Sequence, residues 1–468
     1  MRGFAILLAA VAAASGADPK PSALDRQIER LIQASPAAAR AFWGVQVVSL
    51  STGKTLAAIN AGRLFAPASN TKLFTSAVAL AELGPDHHFE TTVTAQKPPD
   101  AAGRLAGDLR LVGGGDPSLA SVEDLADQVV ASGVRRIDGD IVGDDTAYVW
   151  EPYPEGWAQD DTLWDYGAPV SALALNGNLV SVRVRATHNR TAVALSPPFE
   201  YYALDNRVRA DPHAEDKVHL ERLPGSRQLR LWGALRPHAE TQFLVAIDDP
   251  ALYAACVLAD ALERRGVAIA GRPVAEHRYP HQRESDPEAA VLARHSSPEL
   301  AELLRTMDKA SVNLYAEMFL REVGRREGAG SRAAGIDTLR RFLAGAGIAA
   351  PEYNFADGSG LSGSNLVSPE AVVKLLRFMH KSARREVWMS LLPVGGQDGT
   401  LAGRFNGAEA ASRVHAKTGT LTHASALSGY VQSASRGTLA FSILVNNYSA
   451  STADVRAVID RIALELAE

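Results

Sequence analysis

The sequence holds one cysteine, Cys256, among 468 residues, so no disulfide can form within the chain even in an oxidising compartment. Cys256 stands in the apolar run Ala251-Leu252-Tyr253-Ala254-Ala255-Cys256-Val257-Leu258, where core packing accounts for it better than catalysis does. Excess charge of one sign is also missing. The formal net charge is -5 and no basic stripe is present, which argues against a nucleic-acid partner. Beyond the first residues no stretch is apolar enough to span a bilayer, leaving at most a peripheral membrane association. His87-His88 has no further ligands at a useful spacing, so no metal is expected. The run Gly113-Gly114-Gly115 is not followed by Gly-Lys-Ser/Thr, so it reads as a turn at a strand end and not as a phosphate loop. No cofactor is implied.

The N-terminus carries a targeting pattern. Met1 and Arg2 supply a positive start, Gly3 to Ala14 is almost wholly apolar, and Ser15-Gly16-Ala17 offers small residues before Asp18. Residues 1–17 are therefore expected to be a signal peptide cleaved after Ala17, which exports the chain to the periplasm or the cell-wall side of the cytoplasmic membrane. Length and an ordinary composition, 46% hydrophobic and 22% charged, call for a folded body of more than one domain.

Local patterns divide the rest. Leu24, Ile28, Leu31 and Ile32 recur at helical spacing, and Trp43 to Leu50 and Thr55 to Asn60 flank the turn Ser51-Thr52-Gly53-Lys54; a helix and a β-hairpin follow. Ala- and Leu-rich residues Ser69 to Leu83 read as a helix ended by Gly84-Pro85. From about His88 to Arg294 short strand-like segments broken by Gly, Pro, Asp and Asn take over, with one clear helix capped by Asp249 and Pro250. A long helical run opens at Ser297-Pro298 and continues past Tyr315 to Val323. Ala426 to Ala434 and Thr438 to Asn446 form a hairpin, and Val455, Val458, Ile459, Ile462 and Leu466 mark one face of a last helix. The expected fold is α+β, an antiparallel sheet with helices on both faces, built from residues 22–90 and 291–468 and interrupted by a β-rich insert, 91–290, of one or two subdomains.

Ser69-Asn70-Thr71-Lys72 sets a hydroxyl and an amine three positions apart, on one face of a helix. Serine is a poor nucleophile until a base removes its proton, and a lysine becomes that base when burial or nearby positive potential lowers its pKa. Alone, the pair would more often be a capping serine and a solvated lysine. Ser311-Val312-Asn313 and Lys417-Thr418-Gly419-Thr420 follow in fixed order, and the three together match the S-x-x-K, S-D-N and K-T-G set of penicillin-interacting enzymes, with Val312 in place of the Asp. Ser69 and Ser311 stand 242 positions apart, far more than a compact β-lactamase allows.

The chain resembles the class C low-molecular-mass penicillin-binding proteins, a family of D-alanyl-D-alanine carboxypeptidases and endopeptidases whose transpeptidase-like domain is interrupted between its first two motifs. Further stretches carry the likeness, among them Gly113 to Pro117, Asp357-Gly358-Ser359-Gly360-Leu361-Ser362, Leu392-Pro393-Val394 and Asp398-Gly399-Thr400. The resemblance implies that Ser69 attacks the D-Ala-D-Ala carbonyl, that Lys72 takes its proton, and that Ser311 passes a proton to the leaving amine. It further implies that Asn313 positions substrate and Lys72, and that Lys417, Thr418, Gly419 and Thr420 bind the terminal carboxylate. Backbone N–H groups of Ser69 and Thr420 would make the oxyanion hole, and Asp145 would approach the stem-peptide side chain. The implied partners are peptidoglycan stem peptides and inhibitory β-lactams. Two departures stand out: Val312 lacks polar contacts, and a His423 ring could narrow the acceptor side. A catalytically weak binder of cell-wall peptides and a β-lactamase are the alternatives.

Overall fold

Segments from opposite ends of the sequence share one antiparallel sheet. In the computed structural model, which describes residues 21–198, 201–223, 225–282, 290–326, 328 and 330–468, the strands run in the order Val414–Leu421, Ala424–Ser433, Gly437–Asn446, Phe42–Ser49, Thr55–Ile59. Residues 1–17, the expected signal peptide, lie outside the described residues. Phe42 pairs with Asn446 and Ser49 with Leu439. Only the first residue of Phe42–Ser49 is exposed, because both faces of this strand are covered. Val45, Val47, Leu427, Phe441 and Ile443 pack on one side against the helices Ala23–Gln33 and Thr452–Ala467. Val48, Ala426, Ala440 and Leu444 pack on the other, in a cluster with Leu73 and Leu80 of the helix Thr71–Glu82 and Val372 and Leu376 of Pro369–Lys381. The alternation follows from the two-residue period of a strand. Ser22 and Asp25 form a capping box at the first helix, and Asp25 also accepts from Ala58 N at 2.8 Å, pinning that helix to the sheet edge.

The run expected to be one helix from Ser297-Pro298 to Val323 is two, Leu300–Ala310 and Asn313–Arg325. The break falls at Ser311, whose φ of 61° is left-handed, a conformation that ends an α-helix and is costly for a non-glycine residue.

The chain leaves the first body and returns to it at adjacent points, since Glu90–Ala95 pairs antiparallel with Ala290–Ser296 and Glu90 faces Ser296. Those strands belong to a mixed sheet ordered Pro273–Arg278, Ile141–Val149, Leu109–Gly113, Glu90–Ala95, Ala290–Ser296. Leu109–Gly113 and Ile141–Val149 are parallel, as are Ile141–Val149 and Pro273–Arg278, and parallel neighbours need long crossovers. The crossovers contain the helices Glu123–Ala131 and Pro250–Arg264. The second is the helix marked by Asp249 and Pro250. The first was hidden, because its N-cap is Val122 and makes no side-chain cap bond. Three three-stranded sheets complete the region, one of Leu179–Ala186, Thr191–Ser196 and Glu240–Ala246, another of Ala203–Ala210, Lys217–Arg222 and Gln228–Leu235, and a short one of Arg104–Leu105, Arg136–Ile137 and Ala268–Ile269.

Candidate active site

Ser69 sits on a 3-10 turn, Ala68–Asn70, that feeds the helix Thr71–Glu82, one turn earlier than a plain helix start would place it. Ala68 is held at φ 49°. Two glycines admit that turn. A Cβ on Gly360 would lie 1.9 Å from the Ala68 carbonyl oxygen, and one on Gly419 would lie 2.6 Å from Pro67 O and 3.1 Å from Ser69 N, so the strand Val414–Leu421 can approach the turn only without a side chain there.

Lys72 Nζ lies 3.0 Å from Ser69 Oγ, 2.6 Å from Asn313 Oδ1 and 2.7 Å from the Ser359 carbonyl. The side chain is fully buried. Burial, helped by the positive charge of Lys417, pulls its pKa down to about 7. A neutral amine has two N–H donors and one lone pair; the Asn313 and Ser359 oxygens take the donors, and the lone pair is left for the Ser69 hydroxyl. Lys417 is equally buried, with its pKa lowered by that burial, and it donates to Ser311 Oγ at 2.9 Å and to Thr418 O at 3.0 Å. Left-handed Ser311 thus reaches the amine of a strand from between two helices.

Buried carboxylates brace this pair of amines. Glu317 accepts from Gly358 N at 2.9 Å and Ser359 N at 2.8 Å, and burial raises its pKa to about 7. Asp357 accepts from Gly360 N, Ser362 N and Asn365 Nδ2 at 2.6–2.7 Å and from Trp157 Nε1 at 3.0 Å. The Asp357 to Ser362 loop is therefore pinned so that the Ser359 carbonyl faces Lys72, with Ser359 itself wholly buried. Asp308 accepts from Ser76 Oγ at 2.6 Å; burial raises its pKa against the pull of Lys417.

Above the amines, Ser69, Ser311, Thr418, Gly419 and Thr420 line a cavity of about 440 Å³ together with Arg456. Arg456 Nη2 donates to Thr420 Oγ1 at 2.7 Å. An adjoining cavity of about 360 Å³ is bounded by Ser69, Asn313, Asp161, Tyr166, Leu421 and Thr422. Asp161 brings a carboxylate to that wall, its pKa raised by partial burial, and the Tyr166 carbonyl accepts from Asn313 Nδ2 at 2.8 Å. Arg456, Asp161 and Tyr166 were not signalled by the sequence: none belongs to a motif, and only the fold brings a last-helix arginine and a loop of the inserted region to Ser69.

Of the residues singled out from sequence, Ser69, Lys72, Ser311, Asn313, Lys417, Thr418, Gly419 and Thr420 are brought together. Asp145 is not. It is buried within the inserted region, accepting from Ser171 Oγ at 2.8 Å and lying 3.0 Å from His277 Nδ1, and lines neither cavity. The His423 ring also points elsewhere, its Nδ1 2.7 Å from Tyr448 O, in a turn where φ is 61°; Leu421 and Thr422 line the cleft instead. Val312 turns away from the cleft to pack against the cluster of Ala147, Tyr148, Val170, Ala172, Ala174, Leu314 and Met318.

The chain is similar to known proteins along nearly its whole length. The chain is 38% identical over 478 residues to a D-alanyl-D-alanine carboxypeptidase of Actinomadura sp. (strain R39), covering 98% of this chain and 87% of that one. It is 26% identical over 417 residues to the D-alanyl-D-alanine carboxypeptidase DacB of Haemophilus influenzae, covering 86% and 84%. The fold matches the crystal structure of penicillin binding protein 4 from Haemophilus influenzae with a TM-score of 0.81 at 24% identity, over 94% of this chain and 98% of that one. The sequence pattern of the D-Ala-D-Ala carboxypeptidase 3 (S13) family matches residues 24–468, and the chain belongs to that family.

Proposed function

We propose that the chain hydrolyses the terminal D-Ala-D-Ala bond of peptidoglycan stem peptides through an acyl-enzyme on Ser69. The observation that carries this reading is the buried Lys72 amine, 3.0 Å from Ser69 Oγ with its pKa drawn to about 7. Lys72 takes the Ser69 proton as Oγ attacks the carbonyl carbon. The developing oxyanion is met by the N–H groups of Ser69 and Thr420. Ser311, bonded to Lys417, gives its hydroxyl proton to the leaving D-alanine nitrogen and is reprotonated by the proton that Lys72 took, so that Lys72 is neutral again and serves as base when water hydrolyses the ester. Asn313 orients Lys72 and the substrate amide. Thr418, Thr420 and Lys417 receive the terminal carboxylate, and Arg456, which lines the same cavity, adds a charge-assisted partner. Asp161 supplies a carboxylate for a cationic group on the stem-peptide side chain.

The same cleft would admit a crosslinked dimer, giving DD-endopeptidase action, and would be acylated by β-lactams that mimic the substrate. The sheet contributions from either side of the inserted strands support a division into a catalytic body, 22–90 and 291–468, and an insert, 91–290. The N-terminal pattern supports export to the periplasm. Labelled penicillin should attach to the wild type and not to Ser69→Ala, and D-alanine should be released from an acyl-D-Ala-D-Ala peptide by the wild type alone. Labelling that persists in Ser69→Ala would remove Ser69 from its role, and normal labelling without D-alanine release would favour a binder that has lost turnover.

A further inference from the structure

A second cavity, of about 780 Å³, lies behind the wall of the first and takes part in none of the steps above. One strip of chain serves both. Asp161 and Tyr166 face the Ser69 cleft, while Gln159, Asp160, Thr162 and Trp164 line the second cavity. Its far side is made by Trp150, Tyr153 and Tyr279 with Glu221 and Asp248. The volume is that of a small-ligand site.

The walls are fixed in place. Trp150 is stacked on His277 at 3.9 Å between ring centroids, and His277 is held between Asp145 at 3.0 Å and Asp249 at 3.5 Å, which gives buried Asp145 a positioning role here. Arg222 donates to the Thr162 carbonyl at 3.1 Å, tying the shared strip to the small sheet behind it. Tyr279, by contrast, is 52% exposed and presents an open ring. Among the described residues the side chains of Gln159 and Asp160 have no hydrogen-bond or ion-pair partner in the protein.

Aromatic faces ringed by carboxylate and amide acceptors suit a ligand with an apolar face and hydroxyl and N–H donors at its edge. Of the four carboxylates lining the space, Glu221 pairs with Arg230 at 3.1 Å, Asp248 with Arg227 at 3.5 Å and Asp249 with His277 at 3.5 Å; with Arg222 also engaged, Asp160 is left as an acceptor without a counter-charge, which disfavours an anionic ligand. Given the proposed substrate, the shared wall decides among the rest. A stem peptide is attached at its other end to a hexosamine, and four or five extended residues span about 15 Å, enough to pass from Ser69 over one loop. We propose that this second cavity binds an N-acetylhexosamine of the glycan whose stem peptide occupies the Ser69 cleft, an inference that rests on the carboxypeptidase reading.

The test compares D-alanine release from two substrates with the same pentapeptide, one free and one carrying the disaccharide. The expected KM is roughly tenfold lower for the sugar-bearing substrate, and Tyr279→Ala and Tyr153→Ala should bring the ratio of the two KM values toward one. Penicillin labelling at Ser69 verifies that each variant is folded. Equal KM values in the wild type, or a ratio kept in both labelled variants, overturns the glycan site while leaving the carboxypeptidase intact. No release from either substrate overturns the carboxypeptidase reading and the glycan site with it.

Discussion

Charged residues are used in opposite ways by the two regions of this molecule. Around Ser69, the side chains of Lys72, Lys417, Asp308, Glu317 and Asp357 are all shut away from water. In the inserted region the charges mostly pair at the surface, as Arg185 does with Glu240 at 2.9 Å and Arg264 with Glu123 at 2.7 Å. Water screens the surface pairs, and their worth is small. Desolvation acts on the buried set without that relief, which is why Lys72 falls to about 7 while Glu317 climbs to about 7. The same residue types thus give reactivity in one region and solubility in the other.

The sharpest way to break that contrast is at Lys72. Lys72→Met should lower kcat/KM by about 10³–10⁴. In the wild type kcat/KM should rise as pH climbs through about 7, because an amine with a lowered pKa is neutral, and able to accept a proton, only above it. The residual activity of Lys72→Met should lack that limb; a limb that survives belongs to another group. Next in size, Arg456→Ala should raise KM for an acyl-D-Ala-D-Ala peptide roughly tenfold with a smaller change in kcat, the loss of one charge-assisted bond to a carboxylate. An unchanged KM would leave Arg456 as a strut for Thr420 alone. Val312→Asp asks whether the apolar junction tolerates a charge. It should lower unfolding free energy by about 1–3 kcal/mol in urea melts, and a stability equal to wild type would show that Val312 is not sealed there. The smallest effect is expected at the surface: Arg185→Ala should leave the melting midpoint within experimental scatter, and a clear drop would mean that the insert's pairs act as a network.

Much of the catalytic body was legible because its signals are local. Strand-like segments separated by short turns marked both hairpins, and the three motifs named eight residues that do converge. What escaped depends on contacts that no short window contains. Asp161 and Tyr166 come from a loop without motif or periodicity, and Arg456 reads as a polar position on a helix whose other face is apolar. The helix break at Ser311 was masked by the helical patterns before and after it, since the left-handed residue there is held by the fold, where Ser311 Oγ accepts from Lys417, and not by local propensity. Asp145 was placed beside the substrate by the resemblance alone, and no local pattern told that the strand Ile141–Val149 carrying it is buried along almost its whole length.

The pairing of Phe42–Ser49 with Gly437–Asn446 has a bearing on when the enzyme comes into being. That early strand finds this partner only after nearly all of the chain has been made, so the sheet that presents Lys417 to Ser69 closes last and through contacts of very high sequence separation, a slow kind of assembly. A chain whose catalytic sheet closes so late stays without a hydrolytic centre until it is almost complete.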